Sequence, residues 1–273
     1  GKTYLIPKKD TVYSGSKKIL TSINTYLIAE YSGDSAVILA GKNIDNPRPL
    51  ASFTKLMTAY RLFAEEIQLD QVTTFSGAKH LTPFNLYFKI SEGDQIRNRD
   101  LLYSFLVSSV NVPARMLAQS VDSDEPAFIA RLNKQARDWG LNRTYFNDVH
   151  GYDINNQSTA REFLTIFTKA LQHATIKKYL GTASYKYEEV VDTDNNKIHK
   201  DTHSNKIALK TDLPYTIVAS KTGYLYEAGY GIAMLIERKT DGKQFAIITM
   251  GNPNYDNKFS ETERVAEWVI NNF

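Results

Sequence analysis

The chain of 273 residues contains no cysteine. That excludes a thiol nucleophile, a thiolate zinc or iron–sulfur site and a disulfide framework. It suits the periplasm, where a stray thiol risks mispairing, although many cytosolic chains also lack cysteine. Long apolar runs are missing too: none approaches the ~18 residues of a membrane-spanning helix, so no transmembrane segment is expected in this chain. There is no excess of one charge. Lys and Arg number 33 against 30 Asp and Glu, a net charge of +3, too mild for the electrostatic footprint of a nucleic-acid partner. The start, Gly1-Lys2-Thr3, has neither an initiating Met nor a signal-peptide apolar core, and a secretion signal is expected to have been removed. Internal repeats and low-complexity tracts are absent. What remains is ordinary globular composition, 42% hydrophobic and 23% charged, which excludes wholesale disorder. A chain of this length buries a sufficient core without disulfides or metal, as one large or two small domains.

Residues 1–20 are polar and irregular and read as an N-terminal arm. Two β-like runs, 25–30 and 36–40, flank turn residues and predict a hairpin. Pro47 and Pro49 break the chain, and from Thr54 apolar residues recur at helical spacing. Residues 98–180 are mostly helical in pattern; Gly140 is placed as a C-cap, and Ser158 as an N-cap with Glu162 one residue late for a capping box. After 180 the period changes to two: 185–191, 216–220, 231–238 and 245–250 read as strands, with Asp241-Gly242 as a hairpin turn. Residues 192–206, including His199 and His203, read as an exposed loop. Residues 261–273 form an amphipathic helix. Strands at both ends and helices between them predict an α+β fold: one antiparallel sheet built from both chain ends with flanking helices, and an inserted helical subdomain. The expected division is a single catalytic domain of two subdomains, the sheet from 21–60 and 181–273 and the helical part from 61–180.

Three short motifs carry the chemistry: Ser52-Phe53-Thr54-Lys55, Ser109-Val110-Asn111 and Lys221-Thr222-Gly223. Each alone is weak. About one or two S-x-x-K pairs arise by chance in such a chain, and Ser14/Lys17 and Ser76/Lys79 are two more. Ser52 differs in context, because it follows a proline-broken loop and opens an apolar helix. Ser and Lys three apart share a helix face, so Lys55 can take the Ser52 proton, and the helix dipole favours the resulting anion. The plainer reading is an N-cap serine and a solvated lysine. Lys-Thr-Gly ends an apolar strand, where a cation and a hydroxyl suit a carboxylate and glycine admits close backbone approach; an ordinary strand end also fits. Ser109-Val110-Asn111 before Pro113 is equally a helix-breaking turn.

In this order the three motifs are a signature of β-lactamases and penicillin-binding proteins. Residues 49–59, Leu101-Leu102 with 107–111, Phe146, His150-Gly151, 156–160 and 221–229 resemble the low-molecular-mass penicillin-binding proteins, serine D-alanyl-D-alanine endopeptidases and carboxypeptidases, over roughly 25–273. Val110 and Val112 depart from that family's usual residues. A deacylating Glu motif of class A β-lactamases is not found. The resemblance implies a β-lactamase/transpeptidase-like fold, peptidoglycan stem peptides as substrate, β-lactams as covalent inhibitors, a periplasmic or extracytoplasmic location, and no metal or organic cofactor. It implies Ser52 as nucleophile, Lys55 as base, Ser109 as proton relay and Asn111 as a partner of Lys55 and substrate. Lys221 and Thr222 would hold the substrate carboxylate, Gly223 would admit it, and the Tyr224 and Ser52 N–H groups would form the oxyanion hole. Lys258 stands where many carboxypeptidases have an arginine, a point charge in place of a fork. That change, and the absence of an extra C-terminal β domain, favour an endopeptidase over a carboxypeptidase. A β-lactamase, a non-catalytic wall-binding or β-lactam-sensing domain and a metal-dependent hydrolase are the alternatives; for the last, His199/His203 lacks an H-E-x-x-H helix.

Overall fold

The structure is a computed structural model and describes residues 19, 21–83, 88–195 and 198–273. Of the N-terminal arm of the sequence reading, residues 1–20, only Ile19 is among them. The elements follow in chain order: β1 (Thr25–Tyr31), β2 (Ala36–Lys42), β3 (Arg48–Pro49), α1 (Thr54–Ala64), β4 (Val72–Thr74), α2 (Gly77–His80) and β5 (Gln95–Arg97). Then come α3 (Asn98–Tyr103), α4 (Val112–Val121), α5 (Glu125–Asp138), β6 (Gln157–Ser158), α6 (Ala160–Leu171) and α7 (Ala174–Leu180). The chain closes with β7 (Ser184–Glu188), β8 (Ile198–Thr202), β9 (Tyr215–Leu225), β10 (Gly229–Arg238), β11 (Gln244–Asn252) and α8 (Asn257–Asn272).

The main sheet has the order β2-β1-β11-β10-β9, and every neighbouring pair is antiparallel. It is the expected sheet from both chain ends, closed by β1 pairing with β11 from Thr25↔Met250 to Tyr31↔Gln244. Side chains alternate across it. On β11, Phe245 and Ile247 join Val265, Ala266 and Val269 of α8 on one face, while Ala246, Ile248 and Met250 join the larger core on the other. Covering both faces explains why β11 reads as one apolar run rather than an alternating strand. The larger core also takes Leu56, Met57, Ala59 and Leu62 of α1, so α1 is held by apolar burial worth about 1.5–3 kcal/mol for each large side chain. Helices α6 and α7 lie against the sheet, α6 on β1 and β11 and α7 on β9.

Two local readings change. The strand carrying Lys-Thr-Gly does not stop at Ser220 but continues through the motif to Leu225, paired with β10 as Lys221↔Ala233 and Gly223↔Gly231. Thr159, not Ser158, caps α6: its side chain accepts from the Glu162 N–H, which restores the three-residue spacing of a capping box. Ser158 instead bonds Thr144 at 2.7 Å.

The larger correction concerns 192–206. Ile198–Thr202 form a strand paired with β7, and both His199 and His203 are buried. The inward positions of β8 are polar, so hydropathy misses them, but each has a partner. His199 lies 2.5 Å from Glu189, and Asp201 accepts from Ser104, whose hydroxyl also meets Tyr187. His203 sits between the Leu180 carbonyl and Ser220. Buried polar groups with partners are tolerated where unpaired ones are not. The β7–β8 hairpin thereby packs on the π-helical turn Ser104–Ser108 that leads to Ser109.

Candidate active site

The segment before α1 is a short 3-10 turn, Ala51–Phe53, rather than the first turn of the helix. Ala51 has φ +48°, a left-handed conformation that costs a non-glycine residue on the order of 1–2 kcal/mol. Ser52 therefore does not cap α1, whose N-cap is Phe53 without a side-chain bond. Its hydroxyl is left for Lys55, whose Nζ lies 3.0 Å away. The solvated-lysine alternative fails, since Lys55 is 0% exposed.

Lys55 Nζ makes two further contacts, 2.7 Å to Asn111 Oδ1 and 2.6 Å to the His150 carbonyl oxygen. Both oxygens can only accept. A neutral amine has two hydrogens and one lone pair. With both hydrogens directed at these acceptors, the lone pair faces the Ser52 hydroxyl. Burial makes the neutral form accessible, lowering the Lys55 pKa to about 7 against the opposing pull of Asp148.

Ser109 ends the π-helical turn with φ +65°, and Asn111 follows as the N-cap residue of α4. The strained turn aims the two side chains at different lysines: Lys221 donates to Ser109 Oγ at 2.6 Å, and Asn111 meets Lys55. Lys221 is fully buried, and burial together with the nearby Lys55 charge pushes its pKa well down. Thr222 donates to Ser204 Oγ at 2.7 Å. Gly223 lets β9 lie against the nucleophile turn, because a Cβ there would stand 3.2 Å from the Leu50 carbonyl oxygen. Tyr224, 47% exposed, stacks on Tyr230 with ring centroids 4.1 Å apart.

Ser52, Lys55 and Asn111 thus form one bonded set and Ser109 and Lys221 a second, brought together at one cluster by the 109–111 turn, with Thr222, Gly223 and Tyr224 continuing along β9. Lys258 stands apart. Its ammonium lies over the rings of Tyr255, Tyr230 and Phe259 at 4.3, 4.6 and 4.7 Å, and burial lowers its pKa to about 8. It reaches the site through Tyr230 and Tyr224, not by direct contact with the cluster.

An open cleft of about 1380 Å³ exposes the cluster; Ser52, Ser109 and Asn111 line it, with Tyr152 on one wall and Tyr224 and Tyr226 on another. His150 and Ser204 contribute to the site without having been assigned a role from the sequence. His150 acts through its backbone carbonyl, which no side-chain pattern reports, and Ser204 lies in the segment that reads as a loop. Among the described residues, Asp94, Glu189 and Asp192 bring one oxygen each within 4.8 Å of the others, a geometry that could hold a cation, but none of them lines the cleft.

Residues 16–254 match the family model described as D-alanyl-D-alanine carboxypeptidase, peptidase family S11. The chain belongs to this family. Similar proteins include the D-alanyl-D-alanine endopeptidase of Pseudomonas aeruginosa, 27% identical over 201 residues, covering 72% of this chain and 62% of that protein. The D-alanyl-D-alanine carboxypeptidase DacC of Escherichia coli is 30% identical over 255 residues, covering 89% of this chain and 60% of that protein. The chain thus spans under two thirds of the length of either relative. The Streptomyces K15 DD-transpeptidase shares the fold, with a TM-score of 0.82 at 22% identity over 92% of this chain and 98% of that one.

Proposed function

We propose that this chain is a serine D,D-peptidase that hydrolyses D-alanyl peptide bonds of peptidoglycan stem peptides through an acyl-enzyme, with β-lactams as covalent inhibitors. The observation that carries the reading is the buried Lys55 amine, 3.0 Å from Ser52 Oγ, with acceptors on its two other sides. Lys55 takes the Ser52 proton as Oγ attacks the D-alanyl carbonyl carbon. The oxyanion is received by the Ser52 and Tyr224 N–H groups, each such donor being worth about 3 kcal/mol. The C–N bond then breaks as the proton taken up by Lys55 passes to the leaving amine through the Ser109 hydroxyl, which Lys221 orients, leaving Lys55 neutral again. Water attacks the ester carbonyl and loses a proton to Lys55, which returns it to Ser52 Oγ as the ester C–O bond breaks. Lys221 and Thr222 hold the substrate carboxylate, whose charge draws Lys221 back toward its ammonium form. Lys258 adds charge from behind Tyr230. No guanidinium fork stands in that place, which favours cross-link endopeptidase over carboxypeptidase activity. Such a substrate places the enzyme outside the cytoplasm, in the periplasm or an equivalent compartment; among the described residues no helix is long and apolar enough to cross a membrane.

Intact mass after exposure to a penicillin tests the chemistry. Wild type is expected to carry a persistent acyl adduct, and Ser52→Ala none. An adduct on Ser52→Ala would remove Ser52 as nucleophile, and rapid loss of the wild-type adduct would point to a β-lactamase. Digestion of purified cross-linked dimers against monomeric pentapeptide tests the preference: higher kcat/KM for the dimer is expected, and efficient D-alanine release with intact dimers would reverse it.

A further inference from the structure

Asp148 is a buried residue at the edge of the cleft, and its carboxylate bonds to the 150–156 loop. Its carboxylate gathers five donors. Oδ1 accepts from the His150 N–H at 2.9 Å, the Gly151 N–H at 2.5 Å and Asn156 Nδ2 at 2.9 Å. Oδ2 accepts from the Tyr152 and Asp153 N–H groups at 2.8 and 2.6 Å. Four consecutive backbone amides therefore converge on one side chain, as in an anion nest, but with an internal anion. The nest fixes two things. It holds the His150 carbonyl at 2.6 Å from Lys55 Nζ. It also presses Gly151 against the nucleophile turn: Gly151 has φ +87°, and any Cβ there would collide with the Ala51 carbonyl. Asn156 ties the nest to α1, bonding both Asp148 Oδ1 and Thr54 Oγ1.

We propose that Asp148 is the positioning residue of this site: its carboxylate fixes the carbonyl that directs the Lys55 lone pair at Ser52. The inference rests on the acyl-transfer reading above. Around Lys55 the other charged and titratable groups are Lys221 from β9 and His150 from the same loop, with Arg115 of α4 acting on His150. His150 is held near 4 by burial, so it stays neutral where Lys55 titrates, near 7. Asp148 is the negative charge that opposes the desolvation of Lys55.

The test is the pH profile of penicillin acylation, read per folded molecule, for wild type, Asp148→Asn and Asp148→Glu. An amide removes the charge and turns an NH2 group toward backbone N–H donors. The longer acid keeps the charge but displaces the nest by a methylene. Asp148→Asn is expected to lower the plateau about 10–100-fold and to move the acid limb to lower pH. Asp148→Glu is expected to lower the plateau with the limb in place. Should Asp148→Asn not fold, the Asp148→Glu plateau decides alone. A limb that stays put in folded Asp148→Asn, or a wild-type plateau in Asp148→Glu with only the melting temperature reduced, overturns the proposal. Failure of the wild type itself to acylate would overturn the acyl-transfer reading and this inference with it.

Discussion

Lys55 can act as a base only when neutral, and its complete burial favours that form. An unperturbed lysine, at 10.5, is neutral in about one molecule in 3,000 at pH 7. Burial brings Lys55 to about 7, so about half is neutral there, a gain of roughly 10³ in competent enzyme. The sign follows directly. Lowering the pH protonates the amine, so acylation by penicillin should be flat above pH ~7.5 and fall about tenfold per pH unit below pH 6.5, reaching ~100-fold below plateau at pH 5. No histidine at the site confuses this limb, since burial holds His150 and His203 near 4. Lys55→Arg keeps the positive charge but cannot lose its proton, so its plateau should fall at least ~100-fold with no acid limb. Quenched-flow acylation followed by intact mass, from pH 5 to 8.5, measures both. A wild-type rate independent of pH over this range, or an arginine variant that acylates at the wild-type rate, would refute Lys55 as the base.

The remaining expectations concern the walls of the site. Gly151→Ala meets the Ala51 backbone in a positive-φ conformation, and neither partner is a flexible side chain; a stability loss of at least ~3 kcal/mol with lost acylation is expected, and a calorimetric Tm within 2 °C of wild type, about the precision of the comparison, would contradict the packing. Thr222→Val removes a hydroxyl at similar volume and should slow acylation by carboxylate-bearing β-lactams ~10–100-fold with little change in melting temperature; an unchanged rate would reduce Lys-Thr-Gly to a strand end. Ser204→Ala removes the acceptor that orients Thr222 and should give a smaller loss in the same assay, about fivefold, non-additive with Thr222→Val in a double-mutant cycle; additivity would show that the Ser204 contact does no orienting.

Much of the molecule was legible in the residues. The hairpin at the N-terminal end, the three long strands after residue 215 and the closing helix follow from apolar periodicity, which local backbone geometry enforces. Their union in one antiparallel sheet follows from strands lying at both ends of the chain. Ser52 and Lys55 are readable as a pair because residues three apart at a helix start come together, here through the 3-10 turn Ala51–Phe53 that leads into α1. Tertiary structure decided the rest. Asn111 meets Lys55 across 56 residues, the His150 carbonyl across 95, and Ser109 meets Lys221 across 112, contacts that no local rule connects. The His150 contribution is a backbone oxygen, invisible to any search by side-chain type. Strand β7 is legible, but its partner β8 is not, because hydropathy scores His199, Asp201 and His203 as solvated, whereas Glu189, Ser104 and Ser220 satisfy them in the interior. The chemical state of Lys55 was out of reach for the same reason: a lysine in sequence is a cation, and only the packing of α1, the 148–156 loop and β9 around it removes the water that would keep it one.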